Sequence, residues 1–212
     1  MSHYTKFDFQ YTNSECLFST CKRLNLKMQE KEIRKYSGMK WLIDEYPDYM
    51  TSLPSYSVFN CKNKGFNYFL EQVDNHFELS IEKYNMNVSN EIKAQRLALE
   101  FQTTYIEEVS KLFVKQMNEK GINAILEKTD EGFSIHFGTM YEKNILIKFN
   151  NGRVFEEVYG IKGQSCVSLT EALENMLSSS EVELNSEWTE EYYEEPEGDL
   201  ALYSLIETGN SQ

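Results

Sequence analysis

Proline and glycine are scarce in this chain, with 3 Pro and 10 Gly in 212 residues. That excludes collagen-like and Pro/Gly-rich disordered architectures, which need far more of both. No stretch approaches the roughly 20 apolar residues that span a bilayer as a helix. The opening Met1-Ser2-His3-Tyr4-Thr5-Lys6 lacks the long apolar region of a signal peptide. The expectation is a cytoplasmic protein with no membrane partner. The four cysteines, Cys16, Cys21, Cys61 and Cys166, contain no Cys-x-x-Cys pair. Reduced, partly buried thiols are expected, with no zinc, iron–sulfur or other metal site and no cofactor.

Bases are missing from the last quarter. Residues 163–212 hold 12 Asp and Glu and no Lys or Arg, whereas residues 1–162 hold the other 22 acids and all 21 bases. The formal charge of −13 therefore sits almost entirely at the end. Direct nucleic-acid binding needs a basic footprint, and none is clustered here, so it is not expected.

What is present suffices for a core, since hydrophobic residues make up 41% and aromatics 14%. Residues 4–11 alternate and predict a strand, with Asn13 or Ser14 capping a helix that aligns Leu17, Cys21 and Leu24. Residues 36–64 show no period and are expected to be an irregular insertion. Two strands, 66–72 and 76–82, flank the turn pair Asp74-Asn75. The firmest pattern is an apolar stripe of Leu97, Phe101, Tyr105, Val109, Leu112, Phe113 and Met117, which predicts one long helix over 89–120 stopped by Gly121. A hairpin around Asp130-Glu131-Gly132 follows, and another around Asn150-Asn151-Gly152 joins 144–149 to 154–159. Ser168-Leu169-Thr170-Glu171 has the form of a capping box, placing a helix start at Ser168. A short strand at 181–184 is expected after it. The fold class is α+β, with antiparallel hairpins packed on one long helix, followed by a small ββα unit. The expected domains are 1–142, 143–186 and an acidic aromatic tail, 187–212.

Three pieces of the front part, Met1-Ser2-His3-Tyr4-Thr5-Lys6, Gly65-Phe66-Asn67-Tyr68 with Asp74-Asn75-His76-Phe77-Glu78-Leu79, and the helix from Phe101 to Gly121-Ile122-Asn123, resemble the hypothetical chloroplast reading frame thirty-five family, also known as domain of unknown function twelve fifty-seven. The resemblance covers about residues 1–140. Ile147, Asn151-Gly152, Val158-Tyr159-Gly160, Gly163, Ser165-Cys166, Thr170, Leu173-Glu174, Leu177 and Glu190-Glu191-Tyr192-Tyr193 resemble a second family, domain of unknown function twenty-nine ninety-seven, over about 143–195. Ser178-Ser179-Ser180 stands where that family has a small Gly after the helix. Neither resemblance implies an activity. Together they imply a setting near AAA-type ATPases and ferredoxin-like proteins, and so a shared complex.

Each candidate site has a plainer alternative. Cys166 precedes the expected helix, where backbone N–H groups would favour a thiolate; the plainer reading is a small packed residue. Gly160-Ile161-Lys162-Gly163 could be a phosphate loop but lacks the Gly-Lys-Ser/Thr ending, and a turn with Gly at positive φ is the favoured account. His3, His76 and His136 could converge with carboxylates, against a default of polar strand positions facing solvent. Trp188, Tyr192, Tyr193, Tyr203 and Ile206 are unusual in a linker and suit a docking segment. The favoured function is a non-enzymatic accessory or adaptor protein binding a protein partner, an AAA-type ATPase or a ferredoxin-like protein, through this acidic aromatic end. The alternatives are an acidic decoy of a nucleic-acid-binding surface and a thiol-dependent enzyme centred on Cys166.

Overall fold

A computed structural model describes residues 3–31, 58–63, 65–73, 75–82, 88–138, 143–150, 153–162, 164–178 and 185–193. The elements in chain order are β1 (His3–Asp8), α1 (Ser14–Arg23), β2 (Lys27–Lys31), β3 (Val58–Asn63), β4 (Phe66–Val73), β5 (His76–Glu82), α2 (Val88–Glu119), β6 (Ala124–Lys128), β7 (Gly132–Phe137), β8 (Asn144–Asn150), β9 (Arg153–Tyr159), α3 (Gln164–Leu177) and β10 (Asn185–Trp188), with a 3-10 turn at Glu190–Tyr193. The class is α+β. The chain divides into two compact units, one of residues 1–16 and 103–212 and one of 17–102. No helix among the described residues is long and apolar enough to cross a membrane.

The first unit is built on a six-stranded antiparallel sheet in the order β10-β1-β9-β8-β7-β6. Alternation selects its core face. Phe133, Ile135, Phe137, Ile145, Ile147, Val154 and Val158 are all buried there. The helical residues of this unit bury Tyr105, Ile106, Val109, Phe113 and Met117 from α2 and Leu169, Leu173 and Leu177 from α3. Tyr105 ties the start of the chain to this core. The backbone N–H of Asn13 donates to its hydroxyl at 2.8 Å, and its ring meets Phe9 and Tyr11 edge-on, with centroids 5.6 and 5.0 Å apart. Burial pushes the Tyr105 hydroxyl up to about 12.

Helix ends follow local chemistry. Asn13 is the cap of α1, its side-chain oxygen accepting from Cys16 N–H at 3.0 Å. At the end of α2, Ile122 N–H donates to Met117 C=O at 2.9 Å and Gly121 N–H to Asn118 C=O at 3.0 Å, while Gly121 takes φ +81°. This is the paired closure of a Schellman motif, and Ile122 and Met117 at its two ends are both buried.

The second unit carries a four-stranded antiparallel sheet, β2-β3-β4-β5. Phe66, Tyr68, Leu70 and Phe77 are buried in it, with Ala94 and Phe101 of α2. The Tyr68 and Phe101 rings lie 6.4 Å apart.

Several expectations are corrected. Residues 58–63 are a strand rather than part of an irregular insertion: β3 is fixed by pairing with β2 and β4, which its own sequence does not announce. Residues 32–57 and the expected strand at 181–184 lie outside the described residues. Helix α3 starts at Gln164, so Ser168 sits in its second turn and is not the cap. The cause is burial: Cys166, at 0% exposure, extends the inward stripe of Leu169 and Leu173 upstream of the capping-box pattern. The expected boundary between 142 and 143 falls between β7 and β8, which are hydrogen-bonded neighbours in one sheet. Residues 187 and 188, expected to begin the acidic aromatic tail, form the end of β10 and pair with β1.

Candidate functional site

Strand β10 is the edge of the six-stranded sheet, and its four residues are all exposed. It is held to β1 by the register His3↔Trp188 through Lys6↔Asn185. Beyond it the chain turns so that the Trp188 and Tyr192 rings meet at a tilt with centroids 4.4 Å apart, and Tyr193 meets Tyr192 edge-on at 5.1 Å. Trp188 remains 41% exposed and Tyr193 75%. Trp188 at the end of the edge strand and Tyr192 and Tyr193 of the following turn thus form one aromatic cluster in which Tyr192 is half-buried, beside the exposed Glu187 and Glu190. Of the five docking residues read from the sequence, Trp188, Tyr192 and Tyr193 are brought together. Tyr203 and Ile206 lie outside the described residues.

Cys166 lies in the first turn of α3 and is fully buried. Cys16, Cys21 and Cys166 are in no disulfide. Burial, with help from Glu15 and Glu108, pushes the Cys16 thiol up to about 12. Gly160 takes φ +68°, the conformation expected of a glycine turn.

The opposite face of the large sheet holds a shallow recess of about 350 Å³, lined by Glu127, Thr129, Ser134, His136, Asn144, Leu146 and Tyr159. Its side chains come from β6 to β9 by alternation: Ser134 and His136 are two apart on β7, and Ser134 faces Glu127 in register. His136 Nε2 is 3.3 Å from Glu127 Oε2, so this histidine does meet a carboxylate. His76 lies 3.9 Å from Glu78 in the other unit. Beside the recess, Lys148 bridges Glu131 and Glu157, each at 3.0 Å, and the Tyr159 hydroxyl donates to Glu157 at 3.0 Å. Hydrogen bonds donated to Glu131 and Glu157 raise the Lys148 ammonium above its ordinary value. Among the described residues, no cluster of three or more His, Cys, Asp or Glu is arranged to hold a metal ion.

The most unusual chemistry was not anticipated. Glu156 of β9 sits on the core face between Val154 and Val158, fully buried, and neither carboxyl oxygen has a hydrogen-bond partner. Its cross-strand neighbours are Thr5 of β1 and Ile147 of β8. Glu174 of α3 is 6% exposed and hydrogen-bonded by Thr5. Thr5 is itself fully buried and lies 3.0 Å from the Ser186 hydroxyl of β10. Burial, then the neighbouring Glu174, holds Glu156 well above the carboxylate range. Burial raises Glu174 to about 7, against a lowering by Thr5 and with a further push from Glu171. A signal for both residues exists in the sequence. Val154-Phe155-Glu156-Glu157-Val158 puts one acid on each face of a strand, and Glu174 lies four residues after buried Thr170 and three before buried Leu177.

Comparison with known proteins adds one finding. Residues 146–193 match the family model described as "Protein of unknown function (DUF2997)", in agreement with the resemblance expected over about 143–195. No curated protein matches the chain, and no solved structure matches it. The matched segment begins in β8 and ends on Tyr193, so it contains Glu156, Glu174 and the aromatic patch.

Proposed function

We propose that the protein is a non-enzymatic accessory or adaptor protein that docks a protein partner on the edge formed by β10 and the following turn. The observation that carries this reading is the cluster of exposed Trp188 and Tyr193 with half-buried Tyr192, at the end of an edge strand and in the turn after it. Edge strands accept added strands through their unpaired backbone groups, and tryptophan and tyrosine are frequent anchors of interfaces. The acids of 187–199 would speed encounter with a basic partner. An AAA-type ATPase or a ferredoxin-like protein suits the setting that the two family resemblances together imply. Cytoplasmic residence belongs to the same reading.

The test is capture from the native host, followed by binding of the purified partner to the chain and to Trp188→Ala/Tyr193→Ala. The double variant should lose at least about tenfold in affinity while keeping its fold, since interface aromatics often contribute over 1 kcal/mol each. Unchanged affinity would reject the docking edge. A steep loss of wild-type binding with rising salt, unaffected by the aromatic changes, would favour the acidic decoy instead. A thiol-dependent enzyme centred on Cys166 would require rapid, selective alkylation of that buried residue.

A further inference from the structure

We propose that Glu156 and Glu174 form a buried proton-binding pair that controls how firmly β10 stays docked on β1, and so places the aromatic edge under pH control. The proposal rests on the docking reading above for its purpose, but the linkage itself can be measured without any partner.

The argument begins with two carboxyl groups in one core. Glu156 is fully buried with both oxygens unpartnered, and Glu174 is 6% exposed. An ionised carboxylate in such a place lacks the water it had in the unfolded chain, and a second negative charge nearby adds to the cost. Among the groups facing the pair, the Thr5 hydrogen bond to Glu174 offsets only part of this. Strand β1 presents Thr5, β8 presents Ile147 and β10 presents Ser186. Helix α3 presents Glu174 itself, with Glu171 near it and the buried Cys166 two turns earlier. The charged groups acting on the pair are acids alone, so protons are what neutralise it. Consistent with this, Glu156 is held well above the carboxylate range and Glu174 at about 7.

The connection to β10 runs through one side chain. Thr5 hydrogen-bonds Glu174 and lies 3.0 Å from Ser186. Ser186 is on the edge strand and exposed, so β10 is the layer between Thr5 and solvent on that side. Ionised Glu174 would gain hydration if water entered past Thr5, and water enters there when β10 lifts. The strand is only four residues long. Lifting it therefore breaks few ladder bonds.

Linkage sets the sign. With β10 lifted, Glu174 approaches its ordinary value of 4.5; with β10 docked it titrates near 7. Between those values the docked form holds the extra proton, so docking weakens as pH rises, by up to about tenfold per pH unit, and levels off above the docked midpoint. The experiment uses the full chain from about pH 5 to about pH 8. Carbon-13 shifts of the glutamate carboxyls would report the Glu174 midpoint, assigned with Glu174→Gln. Hydrogen exchange at 185–188, corrected for intrinsic exchange, would report the opening of β10. The expected result is one carboxyl titrating near neutrality and an opening constant that climbs through the same range in the wild type but stays flat in Glu174→Gln. Thr5→Val should raise the Glu174 midpoint and increase opening at every pH. A glutamate spectrum wholly within the ordinary range, or the same pH slope in wild type and Glu174→Gln, would overturn the proposal. If the linkage holds but Trp188→Ala leaves partner binding unchanged, the docking reading fails and the proton pair stands.

Discussion

Glu174 shows how one buried carboxyl makes stability depend on pH. A carboxyl whose folded value is raised above the unfolded one stabilises the fold only while protonated. For Glu174, raised from 4.5 to about 7, that contribution is complete below about pH 4.5 and is lost as pH climbs through 7. The shift corresponds to a penalty on the order of 3 kcal/mol at alkaline pH. Urea unfolding of Glu174→Gln should therefore show a gain over wild type at pH 8 that shrinks towards pH 5; a constant difference would contradict the assignment. Gly132 is a residue-scale constraint of another kind. A Cβ added there would run into the Ile147 carbonyl oxygen on the neighbouring strand, and its φ of +156° is rarely adopted by L side chains. Gly132→Ala should cost about 1–3 kcal/mol, read as a lower midpoint in urea. A neutral effect would mean that β7 and β8 can separate without loss.

Among the elements, α2 was the most legible, because 32 residues with an inward stripe and a terminal glycine leave little choice. The structure adds the function of Tyr105 within it. Its ring fills the space beside Phe9 and Tyr11, while its hydroxyl accepts the Asn13 N–H at the cap of α1. Tyr105→Phe keeps the ring and leaves that N–H without its acceptor, which should lower stability by about 1–2 kcal/mol. Thermal melting would check this, and no change would show that water replaces the hydroxyl. Helix α3 was legible in type but not in bounds. Its capping-box pattern at Ser168 is a local signal, whereas Cys166, ahead of it, is drawn into the core by contacts that no local rule contains.

At the scale of the molecule, the large sheet joins the two ends of the chain. Strand β1, from the first residues, lies between β9 and β10, from the last third. Deleting residues 185–212 would leave β1 as an exposed edge and remove the Thr5–Ser186 contact. The truncated chain should keep the spectroscopic signature of the fold but unfold at lower urea and associate more readily, because a bare edge strand recruits others. Full stability in the truncated form would show that β10 contributes nothing to the sheet.

The hairpins, the long helix, the glycine stop and the lopsided charge follow from the sequence alone, since each is a relation between residues close in the chain: alternation, a helical stripe, an Asn-Gly turn, a run without bases. Which strands share a sheet, that β3 is a strand, that the tail starts as a sheet edge, and that Glu156 and Glu174 meet under Thr5 were decided by tertiary structure. Those relations join residues as far apart as Thr5 and Ser186. Their energies come from burial and pairing that exist only once the chain has folded, so no local window of sequence carries them.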